Sequence, residues 1–199
     1  LARKKVKHLY LGIESGLDDV LKFMKKDHDL AQAYQAIDRL HEAGLIYDAH
    51  IMTGVAGKGR GMENAEALAQ FLNRTNPAHV VNFSMFLHKE VPLYQDIRQG
   101  TFVPADELET IREEYHLIER IAPEKVGANI LYDGFHDFIH VRVRGHLPGD
   151  KEKMLAKLNG IIQEYEGKEP VYSFVQGECP DLEYCDDGKA VWDMDRKTS

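Results

Sequence analysis

Apolar and polar positions along the chain alternate between two rhythms, one suited to buried strands and one to amphipathic helices. Val6 to Ile13 (V-K-H-L-Y-L-G-I) is a nearly continuous apolar run that reads as a buried strand ending at Glu14-Ser15-Gly16, where Gly16 supplies turn freedom. A helix in two pieces follows. Leu17 to Met24 is the short first piece; in the second, Leu30 to Ala43, residues Leu30, Ala33, Tyr34, Ile37 and Leu40 share one stripe at the 3.6-residue period. Gly44 ends it as a C-terminal cap. Leu45 to Thr53 is the next strand, stopped by the glycine-rich loop Gly54 to Gly61, and Ala65, Leu68, Ala69 and Leu72 mark another helix with Pro77 just beyond its end. His79 to Phe86 is a third apolar strand. Strand, helix, strand, helix, strand with short connections is the signature of parallel βαβ units with right-handed crossovers.

The pattern then loosens. Val91-Pro-Leu-Tyr94 reads as a loop, and a long helix from about Asp106 to Ile121 turns Leu108, Ile111, Tyr115 and Ile118 toward the sheet. Farther on, Ile139, Val141 and Val143 alternate with His140, Arg142 and Arg144, the period of a strand with one wet face, antiparallel or at an edge. Leu147-Pro148 leads into a last helix, Asp150 to Tyr165, with Met154, Leu155, Leu158, Ile161, Ile162 and Tyr165 inward. The fold class is α/β, with a parallel βαβαβ unit over residues 1–103, an α+β extension over 104–165 and an acidic, loosely ordered tail over 166–199.

Composition narrows the function. A chain of 199 residues with 43% hydrophobic content can bury a sizeable core. A formal net charge of -8 disfavours the clustered cations of a nucleic-acid footprint, so a nucleic-acid partner is unsupported by the sequence. No apolar run approaches the ~20 residues of a membrane span, and no apolar segment behind Leu1-Ala-Arg-Lys-Lys-Val-Lys7 is long enough for a signal peptide. The expected location is cytoplasmic. The two cysteines, Cys179 and Cys185, match neither a disulfide framework nor a common metal spacing and read as tail thiols. A first residue that is Leu, followed at once by a strand-like run, suggests a cut inside a longer protein.

In parallel α/β architectures a ligand lies at the carboxyl ends of the strands, where loops and helix N-termini present free backbone N–H groups. Three places meet that rule: Glu14-Ser15, His50 through Gly57, and Asn82 to His88. Glu14 offers an acceptor for ribose hydroxyls or an amine, the ordinary alternatives being a helix cap or a loop salt bridge. His50, in mid-strand, is a lining residue or a hydrogen-bonded core residue. The loop Gly54 to Gly61 lacks the spacing of a phosphate-binding P-loop around Gly54, Gly57 and Lys58. His136, Asp137 and His140 have a metal-ligand flavour, but on one strand the two histidines would stand ~13 Å apart, so only a turn between them would make a site. No metal ligand is assigned in this chain.

Taken together, Leu9-Tyr-Leu-Gly-Ile-Glu-Ser-Gly16, Asp18-Asp-Val-Leu21, Met24-Lys-Lys26, Ala43-Gly44 and His50-Ile-Met-Thr-Gly54 resemble, in order and spacing, the second half of the radical S-adenosylmethionine (SAM) barrel. The branch is that of oxygen-independent coproporphyrinogen oxidase and elongator-like Fe-S oxidoreductases. Phe71-Leu-Asn73, Asn76-Pro77, Val91-Pro-Leu-Tyr94, Gly100-Thr-Phe102, Gly145-His-Leu-Pro148 and Asp150-Lys-Glu-Lys153 are similar to its downstream landmarks, so the likeness covers about residues 6 to 165. The resemblance implies a partial (β/α) barrel of the TIM type, with strands four to six in residues 1–103. By position it implies that Glu14, with Ser15 beside it, contacts SAM, that Lys26 pairs with the SAM carboxylate, and that His50 lines the site.

The departures are as informative. Where the family has Pro-Gly-Thr-Pro-Leu-Tyr, this chain reads Lys89-Glu-Val-Pro-Leu-Tyr94, and the CxxxCxxC and Gly-Gly-Glu motifs of the first two barrel strands are absent. Without three thiolates there is no [4Fe-4S] cluster to deliver an electron to the sulfonium, so the chain by itself is expected to be inactive. The parent enzyme would carry the motif about 100 or more residues upstream, and would act on a substrate the sequence does not name. A half barrel also leaves a strand edge open, which predicts a homodimer. Two other readings stand beside this one: a cluster-free small-molecule-binding module, and a structural or partner-binding domain.

Overall fold

The computed structural model describes residues 5–174; Cys179, Cys185 and most of the acidic tail lie outside the described residues. Strand and helix alternate as β1 (His8–Glu14), α1 (Asp18–Phe23), α2 (Leu30–Glu42), β2 (Ile46–Thr53), α3 (Gly61–Thr75) and β3 (His79–Ser84). There follow α4 (Leu93–Arg98), α5 (Glu107–Arg120), β4 (Ile130–His136), β5 (Val141–Leu147) and α6 (Lys151–Tyr165). One sheet runs in the order β1-β2-β3-β4-β5; the first four strands are parallel and β5 returns antiparallel to β4.

Local chemistry sets the boundaries. Asp29 opens α2 through a capping box with Gln32, and Gly44 closes it with a left-handed φ of 69°. Asn76, also left-handed, ends α3 immediately before Pro77. Alternate strand residues point to opposite faces. On one face Ile13, Tyr47, Ala49, Ile51, Val80, Ile130, Tyr132, Val143 and Leu147 meet α2, α3, α5 and α6 in a single core. Burial of an aliphatic side chain such as Ile37, Leu68, Ile118 or Leu158 contributes roughly 1.5–3 kcal/mol. The other face carries Tyr10, Gly12, Asp48, His50, His79, Phe83, Phe135, Arg142 and Arg144.

Four expectations need correction. The segment from Val91 is not all loop, since α4 begins at Leu93 and buries Tyr94 and Ile97. The third strand stops at Ser84 rather than running on to Phe86. The strand expected from Ile139 starts only at Val141, because residues 137–139 form a turn of 3-10 helix, and it is preceded by β4, which the pattern did not announce. In β4 the apolar run is broken by Asp133, Gly134 and His136, whose polar groups have partners inside the molecule or on the open face. The inward stripe of α5 is also rotated: Ile111 and Ile118 are buried as expected, but Glu107, Glu113, Glu114 and Leu117 join them, while Leu108 and Tyr115 are half-buried.

Candidate functional site

Register brings the expected segments together. Gly12 lies opposite His50, and His50 opposite Val81, so the downstream tips of β1, β2 and β3 form one rim. At that rim the pairing of β1 slips between Gly12 and Glu14, and Glu14 takes a left-handed φ of 62°. For a residue with a side chain this costs on the order of 1–2 kcal/mol. The turn folds the Glu14 carboxylate back over Gly12 on the open face, the face that His50 shares. There the Lys26 ammonium donates to Glu14 Oε1 at 3.1 Å, with side chains 30% and 24% exposed for Lys26 and Glu14. The pair is therefore reachable from solvent.

His50 sits in a row of rings that crosses the open face. Tyr10 lies 5.0 Å away on one side and Phe83 6.1 Å away on the other, centroid to centroid. Phe83 stacks on Phe135 at 5.4 Å, and the Arg142 guanidinium lies over Phe135 at 4.7 Å, itself held by two hydrogen bonds to Asp133 of 2.8 and 2.7 Å. The row offers flat apolar surface with a cation at its far end.

Ser15 has a different place. It is fully buried, its hydroxyl donates to Asn64 Oδ1 at 2.6 Å and accepts from the Leu17 N–H, and so it supports the rim from behind. Much of the glycine loop is already engaged: the Gly57 N–H donates to the Gly54 carbonyl, Lys58 to Val103, Arg60 to Gly57, Gly54 to Glu113 and Gly59 to Glu109, so these five amides are not free to cradle a phosphate.

The histidines singled out for metal binding do not converge. His136 points to the helical face, fully buried, with its ring nitrogens 3.0 Å from Glu107 and 3.1 Å from Glu114, whereas His140 is exposed in a left-handed turn. Burial would by itself lower the pKa of His136, but the two carboxylates outweigh it and push it up to about 9. Among the described residues no three His, Cys, Asp or Glu are grouped so as to hold a metal. Sequence reasoning missed the carboxylates of α5 that organise this interior. Their signal was present in Asn64 and Asn82, polar residues at otherwise apolar inward positions that need buried partners.

A solved structure shares this fold. It is Elp3 of the archaeon Methanocaldococcus infernus with N-terminal residues 1-46 deleted, matched with a TM-score of 0.57 and 19% sequence identity over 79% of this chain. The match covers 36% of the Elp3 chain, so the sequence in hand spans little more than a third of it. The α/β fold, with its mostly parallel sheet and intervening helices, thus resembles part of the Elp3 barrel. No protein family and no curated protein matches the sequence. No helix among the described residues is long and apolar enough to cross a membrane.

Proposed function

We propose that this chain is part of a radical SAM enzyme and that the rim around Glu14 holds SAM. The carrying observation is Glu14 itself, kept in a strained left-handed conformation so that its carboxylate lies beside Lys26 at the downstream end of a parallel strand. Strain of this kind persists where surrounding structure enforces it, and it clusters at ligand sites. The donor set suits the ligand. SAM presents an ammonium and ribose hydroxyls to Glu14, a carboxylate to Lys26, and a sulfonium and adenine to the aromatic open face around His50.

In such an enzyme the bound cluster supplies the electron that splits the sulfonium. The described residues do not fit that group, and the sequence has no CxxxCxxC, so we place the cluster ligands elsewhere in the parent protein. What this chain contributes is binding and orientation: Lys26 and Glu14 fix the amino-acid end, and the sheet face excludes water from one side.

Titration calorimetry with SAM is the test. Saturable binding by the wild-type chain, weakened about tenfold or more in Lys26→Met, is expected, as loss of a charge-assisted contact dictates. No binding by the wild type, or equal binding by the variant, ends this reading. For the parent protein, the check is anaerobic reconstitution followed by an assay for deoxyadenosine.

A further inference from the structure

The turn that carries Glu14 and the turn that begins the glycine loop are tied to the same buried side chain. Glu113, on α5, is outside the βαβαβ unit and almost completely shielded from solvent. Its Oε2 accepts the Gly54 N–H at 2.8 Å, and its Oε1 accepts from Asn64 Nδ2 at 2.7 Å. Asn64, on α3, then passes the constraint on: its Oδ1 accepts from the Ser15 hydroxyl at 2.6 Å and from the Gly16 N–H at 3.2 Å. Both ends of the relay abut the rim directly, since Ser15 follows Glu14 and Gly54 follows the last residue of β2.

The packing leaves this relay little slack. A Cβ at Gly16 would come within 2.5 Å of the α3 backbone at Ala67 and Leu68, and one at Gly61 would meet Glu113 Oε2 at 3.0 Å. The first turn therefore rests on α3 without an intervening side chain, and α3 rests on the carboxylate. Every hydrogen bond in the chain has a fixed polarity. Gly54 N–H and Asn64 Nδ2 are donors, so both oxygens of Glu113 must accept; Ser15 and Gly16 are donors, so Asn64 must turn its oxygen to them and its nitrogen to Glu113.

We propose that Glu113 is a positioning residue for the ligand rim, acting through Asn64 to set the β1 turn and through its own contact with Gly54 to set the β2 turn. It touches no ligand; it fixes the spacing between the Glu14–Lys26 pair and the glycine loop. The claim rests on the reading of that rim as a SAM site, and it adds that α5 carries part of the site's precision.

Polarity gives the test its edge. Glu113→Gln puts an amide nitrogen against a donor, so either Gly54 or Asn64 loses its acceptor. The double variant Glu113→Gln with Asn64→Asp reverses one bond and restores the set: the introduced amide accepts from Gly54 and donates to the new carboxylate, whose other oxygen still accepts from Ser15 and Gly16. SAM affinity is measured by calorimetry on wild type, both variants and Leu158→Ala, a cavity in α6 that lowers stability away from the rim. The expected result is a loss of about tenfold in Glu113→Gln, recovery to within about threefold in the double variant, and no loss in Leu158→Ala. Wild-type affinity in Glu113→Gln, a loss equalled by Leu158→Ala, or a folded double variant without recovery overturns the proposal. If Glu113→Gln does not fold, recovery of folding and binding in the double variant supports it and failure of that recovery overturns it. If the wild type takes up no SAM, the SAM reading falls alone, and the amide resonances of Gly16 and Gly54 decide. Displacement of both in the single variant with return in the double supports the relay; unmoved resonances refute it.

Discussion

The Glu14 carboxylate occupies the volume that a side chain at Gly12 would need: a Cβ there would lie 2.6 Å from Oε1 and 3.5 Å from the Lys26 ammonium. Both obstacles are ends of flexible side chains, so a methyl group moves them aside without disturbing the backbone. Gly12→Ala should therefore fold with stability within about 1 kcal/mol of wild type, while the displaced ion pair weakens SAM binding. Thermal unfolding and calorimetry on the same samples check this, and unchanged affinity would show that the pair is not part of the site.

Glu14 itself separates stability from binding. Glycine adopts its φ of 62° without the steric cost, which offsets both the added chain entropy of glycine and the loss of a partly exposed ion pair worth about 0–1 kcal/mol. Glu14→Gly is expected to melt within a few degrees of wild type (about 1 kcal/mol) and to bind no SAM. A large drop in melting temperature would mean that Glu14 serves the fold instead.

The interior of α5 predicts a loss of stability in mild alkali. His136 is held above its usual value of 6.5, at about 9, by Glu107 and Glu114, despite the opposing effect of burial. Such a group stabilises the fold fully below pH 6.5 and loses its contribution as the pH rises through 9, on the order of 3 kcal/mol. Glu107 acts oppositely. Burial alone would raise it, but hydrogen bonds from His136, Ser173 and Ser84 hold it below the usual carboxylate range, so its contribution is lost only in acid. Melting temperature should fall from pH 6.5 to 9.5, and His136→Gln should flatten part of that slope. A midpoint that stays level over this range contradicts the assignment.

Among the described residues β1 stands at one edge of the sheet, with no strand paired on its outer side, and its Tyr10 is 54% exposed. Such an edge favours pairing with another strand. Light scattering across a dilution series should reveal a dimer that dissociates on dilution; a monomer at every concentration would contradict this.

Much of this architecture was legible in the chain. The 3.6-residue stripes of α2, α3 and α6 and the apolar runs of β1 to β3 announced themselves, because each element buries one simple face. The convergence of Glu14 and His50 followed from parallel strands alone. What escaped was β4, whose Asp133 and His136 break the apolar run, and the true inward side of α5, where Glu107, Glu113 and Glu114 replace hydrophobic residues. Periodicity counts a glutamate as solvent-facing. It becomes an inside residue only when partners such as Asn64, Asn82, Tyr132 and His136 arrive from other elements to meet its oxygens. Ser15 illustrates the same limit at the rim, where adjacency in sequence to Glu14 says nothing about which way its hydroxyl turns.

The reversal of β5 gives the sheet a direction of growth. A further strand laid beside β1 can keep the common orientation and continue the same winding, whereas one laid beside β5 in that orientation must pair against the grain of its neighbour. The two edges of the described sheet thus differ in what they offer a strand of the common orientation: parallel pairing on the β1 flank and antiparallel pairing on the β5 flank.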